Sequence, residues 1–325
     1  MDSHWQNPQL PRSVYIEQPL RGVIVFAGKD RVDFLQRQTT NDASQVNKER
    51  VLTTVLTSPV GRILDVLQLT EDEDKGEAQI SAISLPGRAS SASAYFKSRI
   101  FFMDQVTVRD VSQEFACFEL AGADIENVFQ QLGFPFLPQG NQLAEADFQG
   151  IKLKAFQQIL RLGLGYQVIA PQEHREQLRK FLKSLAIQPL TSEEYEVLRV
   201  EAGIPVVDHE LTEEYSPLEV NLENAVSVNK GCYTGQEVIA RQMNYDKVTR
   251  KLVGLSLEMD AAAGSQLQGE GKPVGKVTSF VRSPRFGPIA LAVVKRPYYR
   301  DGVELTVKSG DLESISIVRS LPFRG

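Results

Sequence analysis

The sequence predicts an α+β protein with two mixed modules followed by a small antiparallel β-barrel or sandwich. At 325 residues the chain is too long for one ordinary core, so we expect two or three domains. Strand candidates in the first two thirds come in adjacent pairs between helices, which disfavours a doubly wound parallel sheet. After Arg250 the pattern changes to short alternating strands with Gly and Pro turns. We place the modules at 16–111, 112–245 and 246–325.

The first module begins after residues 1–15, which we expect to form a loosely held arm. Asp30 is a candidate N-cap for the first helix, because an Asp side chain can accept from free N–H groups of the first turn. We expect Glu71–Glu77 to form an acidic solvated turn. The strands and helices predicted here are Gly22–Phe26, Asp30–Gln38, Val51–Thr57, Ile63–Leu69, Ala78–Ser84, Ala89–Phe101 and Val106–Val111, with a hairpin turn at Ser58–Gly61.

The second module and the C-terminal part follow the same rules of periodicity. A capping-box spacing at Thr191–Glu194 opens a helix through Val200, and Gly203 is a fitting stop. The other elements predicted in the second module are Phe115–Leu120, Ile125–Leu132, Ile151–Ala155, Ile159–Leu162, Tyr166–Ala170 and His174–Leu185. The C-terminal strands are Leu252–Leu257, Pro273–Val281, Ile289–Val294, Val303–Val307 and Ile315–Val318.

Composition excludes several classes of function. A net charge of -5 argues against broad nucleic-acid binding, which needs a basic surface. No apolar run reaches membrane-spanning length, and the polar first residues do not resemble a secretion signal. Two cysteines form neither a disulfide framework nor a zinc site by themselves, and Cys117 lies in an apolar run typical of a core position. We expect a reduced, cytoplasmic protein without a resident metal.

Two carboxylates break local rules. Asp65 shares one face of its predicted strand with Ile63 and Leu67. It is therefore either a buried acid that needs a partner or ligand, or a solvated carboxylate on an edge strand. Glu201 lies in the last turn of its predicted helix, where the dipole disfavours negative charge. Such an exception indicates a functional residue or an exposed Glu tolerated at small cost.

The stretch Lys230–Glu237, K-G-C-Y-T-G-Q-E, is followed by Val238–Arg241 and concentrates reactive groups between two glycines. Lys230 stands two residues before Cys232, and a nearby cation favours the nucleophilic thiolate. The spacing allows chemistry at Cys232. A purely structural interpretation, in which the glycines build a turn, leaves the thiol, the lysine and the carboxylate together unexplained.

With these residues in place, the sequence resembles the YgfZ family of folate-binding proteins, which are relatives of the glycine-cleavage T-protein, an aminomethyltransferase. The resemblance rests on the K-G-C-Y-T-G-Q-E motif and extends over most of the chain. Its other matching segments are Gly28–Asp30 through Gln38–Asp42, the R-x-E-A-G segment Arg199–Gly203, Gly271–Ser279 and Leu321–Phe323.

The resemblance implies a three-domain cloverleaf around a central channel that holds tetrahydrofolate. It assigns Glu201 to the pterin, whose two neighbouring N–H donors suit a carboxylate. The other candidate folate-binding residues are Arg199, Tyr233, Gln236, Glu237 and Arg241, and the cations proposed for the anionic tail are Arg241, Lys247, Arg250 and Lys251. The family is implicated in making or maintaining iron-sulfur enzymes, including enzymes that modify tRNA. The expected partners are therefore folate and iron-sulfur client or assembly proteins.

Three hypotheses for function follow. In the first, a folate-binding accessory protein uses Cys232 as a nucleophile, redox thiol or transient cluster contact, with Lys230 favouring the thiolate. In the second, the chain is a folate-dependent aminomethyl or methyl transferase with Asp65 as the catalytic acid. The T-protein carries two consecutive aspartates where this chain has Asp65 and Val66, so the match at that acid is incomplete. In the third, the chain is a non-catalytic folate-sensing scaffold.

Overall fold

A computed structural model describes residues 13–18, 21–74, 76–157, 165–244, 248–310 and 312–324. The chain divides into two compact units. The first consists of Met1–Leu56, Asp65–Thr191 and Ala225–Thr234, and the second of Thr57–Leu64, Ser192–Asn224 and Gly235–Gly325. The fold is α+β with a C-terminal closed antiparallel barrel, as the sequence predicts.

A five-stranded sheet lies in the N-terminal part, in the order β3-β4-β5-β2-β6. Helices α1 and α2 pack on it through Phe34 and Phe96, whose rings meet Phe26 of the sheet at centroid distances of 6.2 and 4.9 Å. The elements are β2 (Val23–Ala27), α1 (Arg31–Gln38), β3 (Leu52–Thr57), β4 (Ile63–Asp74), β5 (Glu77–Ile83), α2 (Ala89–Lys97) and β6 (Thr107–Asp110). Every helix and strand predicted for this segment is present, with shifted ends.

The first unit also contains a six-stranded sheet in the order β11-β1-β7-β10-β9-β8, antiparallel except for the β1–β11 pair. Helices α3 and α4 bury Phe129 and Leu182 against it, with Phe118, Val168 and Leu153 from the strands. The elements are β1 (Ser13–Glu17), β7 (Phe115–Gly122), α3 (Ile125–Gln131), β8 (Leu143–Phe148), β9 (Ile151–Gln157), β10 (Tyr166–Pro171), α4 (Arg175–Ser184) and β11 (Gln188–Pro189).

The second unit is built around a closed barrel in the order β12-β15-β14-β13-β16-β17. Closure pairs every strand on both sides and so removes exposed sheet edges. Its strands are β12 (Arg250–Leu257), β13 (Gln266–Gly269), β14 (Lys272–Ser283), β15 (Gly287–Lys295), β16 (Glu304–Ser309) and β17 (Leu312–Arg319). The unit also contains α5 (Ser192–Ala202) and α6 (Gln236–Asn244).

Several local predictions are wrong. Residues 13–15 are not a loose arm, since Val14 and Tyr15 are buried in β1. The acidic stretch after Leu69 is not a turn, because β4 continues to Asp74 and pairs there with Glu77 of β5. Helix α2 ends at Lys97, four residues before the predicted end. The strand predicted at 159–162 lies outside the described residues.

The prediction that the Asp30 side chain caps helix α1 is also wrong. The side chain makes no capping hydrogen bond to α1. Its Oδ2 instead accepts from the backbone N–H of Gln105 at 2.7 Å, which fixes the loop before β6. Across the described residues, no helix combines the length and apolar character needed to cross a membrane.

Candidate functional site

Glu201 is the best candidate for a ligand-binding residue in the second unit. Its position in the last turn of α5 is as predicted, but the exposed-Glu alternative is wrong because the residue is only 1% exposed. Ser283 Oγ donates to Oε1 at 2.5 Å, and Arg285 Nη1 lies 3.7 Å from Oε2. Oε2 itself accepts no hydrogen bond from any residue that the structure describes. Leaving a buried acceptor unsatisfied costs about 1–3 kcal/mol or more for a charged group.

The backbone around Glu201 is held by the C-terminal segment and by the turn that joins β14 to β15. Phe323 N–H donates to the Glu201 carbonyl at 2.9 Å. Ser283 Oγ accepts from the N–H groups of Arg285 and Phe286, both at 3.0 Å, so the turn aims the hydroxyl hydrogen at the carboxylate. Glu201 is therefore fixed in place with one oxygen satisfied and the other without a donor.

Arg199, two residues earlier on α5, is fully occupied by protein acceptors. Its Nε donates to Glu196 at 2.8 Å, its Nη1 to the Ile204 carbonyl at 3.3 Å, and its Nη2 to Ser279 Oγ at 2.8 Å. Glu210 Oε2 lies 3.5 Å from Nη1 and adds a carboxylate that, unlike Glu196, is completely buried. Direct folate binding by Arg199 stays a prediction. The contacts with Glu196, Ile204, Ser279 and Glu210 explain the presence of this arginine without a ligand.

Lys230 fixes the reactive stretch to the turn after α1 in the first unit. Its Nζ donates to the carbonyls of Thr39 and Asn41, both at 2.7 Å, and lies 5.1 Å from the ring centre of Tyr233. The buried Tyr233 ring has its pKa raised to about 12 by burial. Burial also lowers the pKa of Lys230 to about 8, so the ammonium is still mostly charged at pH 7. These contacts explain why a lysine occurs at position 230 even if it has no effect on the Cys232 thiol.

Cys232 is a free, exposed cysteine on this fixed loop. The next residue but one, Thr234, donates its N–H to the Arg37 carbonyl at 3.2 Å, so the loop is held on both sides of the thiol. Among the residues that the structure describes, no group of three or more His, Cys, Asp or Glu side chains could hold a metal ion. The thiol is accessible to a partner molecule.

The rest of the motif begins α6 in the second unit. Gly235 has φ of +84°, and a Cβ there would lie 2.7 Å from the Ser58 carbonyl, so only glycine fits. Gln236 is the first residue of α6 and is partly exposed. Glu237 and Arg241 form an i,i+4 pair at 2.6 Å with side chains 78% and 68% exposed. This pair is a solvated contact, which typically contributes a few tenths of a kcal/mol.

The other cations predicted for a folate tail differ in their surroundings. Arg250 is bound by Glu219 at 2.8 and 3.0 Å and donates to the Glu214 carbonyl, so its charge is paired within the unit by a carboxylate that also binds Arg62. Lys251 is exposed. Lys247 lies outside the described residues. Lys251 and Arg241 are thus the candidates of this set with exposed charge.

Asp65 is completely buried on β4, an interior strand, so the edge-strand alternative is wrong. Oδ1 accepts from the N–H groups of Val66 and Leu85 at 2.8 and 3.0 Å, and Oδ2 accepts from Ser84 Oγ at 2.5 Å. Burial raises the pKa of Asp65 to about 6 although these donors and the nearby Arg21 lower it. Both oxygens are satisfied internally, which is the arrangement of a structural carboxyl.

Comparison with known families decides the ancestry of the chain. Residues 16–230 match the GCVT N-terminal domain, and residues 250–323 match the glycine cleavage T-protein C-terminal barrel domain. The chain belongs to the glycine cleavage T-protein family. Its fold resembles the crystal structure of aminomethyltransferase T of the Bartonella henselae glycine cleavage system. The TM-score is 0.83 at 22% identity, over 96% of this chain and 86% of that one.

Two relatives illustrate the range of similarity. A chloroplastic protein of Arabidopsis thaliana whose name describes a transferase is 30% identical over 307 residues, covering 93% of this chain and 69% of the relative. An aminomethyltransferase of Caldanaerobacter subterraneus subsp. tengcongensis is 26% identical over 312 residues, covering 91% and 81%. The similarity therefore spans both units of this T-protein family member.

Sequence reasoning missed the groups that surround the two acids. Ser283 and Arg285 lie more than 80 positions after Glu201, in a turn marked only by the Ser-Pro pair. No sequence pattern marked Arg21 as a buried residue near Asp65 either, since it simply follows a proline and a leucine. Only the tertiary fold brings these side chains to the carboxylates.

Proposed function

We propose that this T-protein family member binds tetrahydrofolate, with the N–H groups of the pterin donating to Glu201. The observation that carries the proposal is the buried Oε2 without a donor. A pterin edge offers neighbouring N–H donors, so it supplies what this oxygen lacks in a charge-assisted pair. The residues present thus fit the ligand that the family implies.

Access to Glu201 requires a local change in the second unit. Oε2 exposes less than 1 Å², so a ligand reaches it only after neighbouring side chains move. Arg285 is the nearest movable group, because its side chain is 27% exposed and its guanidinium lies over the Phe286 ring at 4.9 Å. Movement of this exposed arginine is the least costly way to open the carboxylate.

A comparison of two ligands tests the assignment of Glu201 to the pterin. Tetrahydrofolate and p-aminobenzoylglutamate share the tail, but only the former carries the pterin. We expect Glu201→Gln to weaken tetrahydrofolate binding and leave p-aminobenzoylglutamate binding unchanged. Equal weakening of both ligands would place Glu201 elsewhere in the binding mode.

We further propose a YgfZ-type role, in which the folate-bound protein supports the assembly or repair of iron-sulfur enzymes and, through them, tRNA modification. The K-G-C-Y-T-G-Q-E motif and the exposed Cys232 on its fixed loop support this role. A single thiol cannot hold a stable cluster, which usually takes four thiolates, so contact with a client would be transient. A cytoplasmic location remains the expectation.

The accessory role is tested in cells that lack the protein. Cys232→Ala should bind tetrahydrofolate normally and fail to restore the activity of iron-sulfur enzymes. Cys117→Ala is the matched control for loss of a thiol, because Cys117 is buried in the core. Full restoration by Cys232→Ala would favour the scaffold hypothesis, in which the motif only shapes a partner surface.

The second candidate is a folate-dependent aminomethyl or methyl transferase. Relatives named aminomethyltransferase favour it. Asp65 is the candidate acid, and its internally satisfied oxygens would have to give up a donor to act on a ligand. One-carbon turnover by the purified protein that disappears in Asp65→Asn would support the transferase, and absence of turnover in the wild type would remove it.

A further inference from the structure

A cavity of about 210 Å³ lies within the first unit, away from Glu201 and from the cysteine loop in the sequence. Its wall includes Arg21 and Gly22 before β2, Ala89 and Ser90 at the start of α2, and Cys117 on β7. Gly22 lies tight against the helix start, since a Cβ there would be 2.2 Å from Ala89 Cβ. The volume suffices for a small polyatomic ion or a few waters.

Arg21 is the unusual group in this wall. It is 8% exposed, and its Nε meets no acceptor among the residues that the structure describes. Its Nη1 reaches only neutral acceptors at long range, Gln68 Oε1 at 3.4 Å and the Ser84 carbonyl at 3.5 Å. Arg199, which is also buried, is instead bound by carboxylates. A buried cation without an anionic partner is costly.

The start of α2 adds a second source of positive potential. The residue before the helix, Arg88, supplies no capping side chain, and the first turn contains no acidic residue. Ala89 and Ser90 of this turn line the cavity. Free N–H groups and the helix dipole favour an anion at such a helix start.

The two carboxylates in the wall are already satisfied. Glu17 accepts from Arg175 at 2.7 and 3.0 Å and from Arg179, whose hydrogen bond is the main cause of its lowered pKa. Asp110 is exposed and accepts from the N–H of Ser112 at 3.0 Å and from its hydroxyl. Among the described residues, Arg21 is therefore the cation in the wall that donates to no carboxylate.

Other acidic groups near Arg21 do not replace an anion. Burial lowers the pKa of Arg21 most strongly, while Cys117 and the two carboxylates Glu119 and Asp65 raise it by their charge. Within the described part of the chain, neither accepts a hydrogen bond from the guanidinium. Asp65 is instead occupied by Ser84, Leu85 and Val66.

We infer that this cavity binds a phosphate group, held by the Arg21 guanidinium and the free N–H groups at the start of α2. A guanidinium matches the geometry of phosphate oxygens, and a helix start suits the same charge. The phosphate is inorganic phosphate or part of a small phosphorylated molecule. This inference does not rest on the proposed folate site.

Substitution at the start of α2 tests the inference without deleting a buried side chain. Ser90→Asp introduces a carboxylate at an exposed position that lines the cavity, where it should take the place of phosphate beside Arg21. Ser91→Asp is the matched control, because it makes the same change in the same turn outside the cavity wall. A third variant, Arg21→Met, removes the cation.

The measurement is the shift in the midpoint of thermal unfolding with inorganic phosphate, at constant ionic strength set by KCl, together with titration calorimetry. We expect saturable binding to the wild type and to Ser91→Asp, and binding at least about 10-fold weaker in Ser90→Asp and Arg21→Met. Ser90→Asp should also unfold at a higher temperature than the wild type without phosphate. Equal phosphate effects in all four proteins, or no binding to the wild type up to about 10 mM, would show that water fills the cavity.

Discussion

Two buried carboxylates, Asp65 and Glu201, differ in how completely the protein satisfies them. Asp65 accepts three hydrogen bonds over its two oxygens. Among the described residues, Glu201 accepts one, from Ser283, and the cation nearest its other oxygen is the more distant Arg285 guanidinium. Because buried polar groups are normally paired, the first carboxylate is explained by the fold and the second indicates a ligand.

Asp65→Asn should remove a pH dependence of stability. The folded pKa of about 6 lies above the ordinary aspartate pKa of 3.8, so the folded state binds the proton more tightly. The stabilisation from this group is full below pH 4 and is lost as pH rises to about 6, a change on the order of 2–3 kcal/mol. Asn keeps an acceptor for both N–H donors and can donate to Ser84.

Urea unfolding of the wild type and of Asp65→Asn between pH 4 and 7 checks this expectation. The free-energy difference between the two proteins should move in favour of the variant as pH rises. A difference that does not change with pH would mean that Asp65 is ionised throughout, with its donors outweighing the effect of burial.

Lys230→Met should loosen the cysteine loop. The variant loses two hydrogen bonds from the ammonium to the carbonyls of Thr39 and Asn41, and it keeps most of the side-chain volume. Because the group is only partly buried, we expect a loss of about 1–2 kcal/mol in the free energy of unfolding. Lys29→Met, at an exposed position, is the control and should stay within about 0.5 kcal/mol of the wild type.

At the scale of elements, hydrophobic periodicity predicted most helices and strands, and it failed where side chains are small or polar. Strand β8 is built on Leu143, two alanines and Phe148, so its alternation is weak. Strand β13 buries Leu267 and Gly269 and was missed. The acidic end of β4 pairs with β5 despite its charge, because ladder hydrogen bonds do not depend on side-chain type.

A substitution at Gly203 tests how helix α5 ends beside Glu201. This glycine has φ of +72°, and a Cβ there would lie 2.8–3.0 Å from three side-chain atoms of Leu321. Gly271 has a similar φ of +73°, but a Cβ there meets nothing within 4 Å among the described residues. Both alanine variants incur backbone strain of about 1 kcal/mol, and only Gly203→Ala adds a clash.

Chemical denaturation of both alanine variants separates these two effects. Gly203→Ala should be less stable than Gly271→Ala by about 1–3 kcal/mol, and it should also weaken ligand binding through displacement of Glu201. Equal losses would show that Leu321 yields freely and does not fix the end of the helix.

At the scale of the whole molecule, the motif and the flanking segments predicted a relative of the glycine-cleavage T-protein and its fold, which the matches at 16–230 and 250–323 confirm, while membership of the YgfZ family stays a prediction. The sequence alone could not show the unsatisfied oxygen of Glu201 or the unsatisfied Nε of Arg21. Both depend on which donors and acceptors long-range packing brings within about 3 Å. The roles of the proposed site residues remain predictions for experiment.

The reactivity of the two cysteines toward a thiol reagent tests whether the protein is folded as described. Cys232 is exposed, whereas Cys117 is buried and its pKa is raised to about 11. A thiol reagent at pH 8 should therefore label one cysteine per chain quickly and the second only on unfolding. Cys232→Ala should lose the fast phase. Fast labelling of both thiols in the native wild type would contradict the packing around β7.

The most direct test of the central claim is calorimetric titration of tetrahydrofolate under reducing, oxygen-free conditions into the wild type, Glu201→Gln and Glu193→Gln. Glu193 is an exposed residue of α5 and serves as the control. Removing the charge at Glu201 should weaken binding by at least about 10-fold, since a hydrogen bond to a charged group is worth about 1.5–3 kcal/mol. Glu193→Gln should bind like the wild type. Equal affinity of all three proteins would contradict the proposed pterin site.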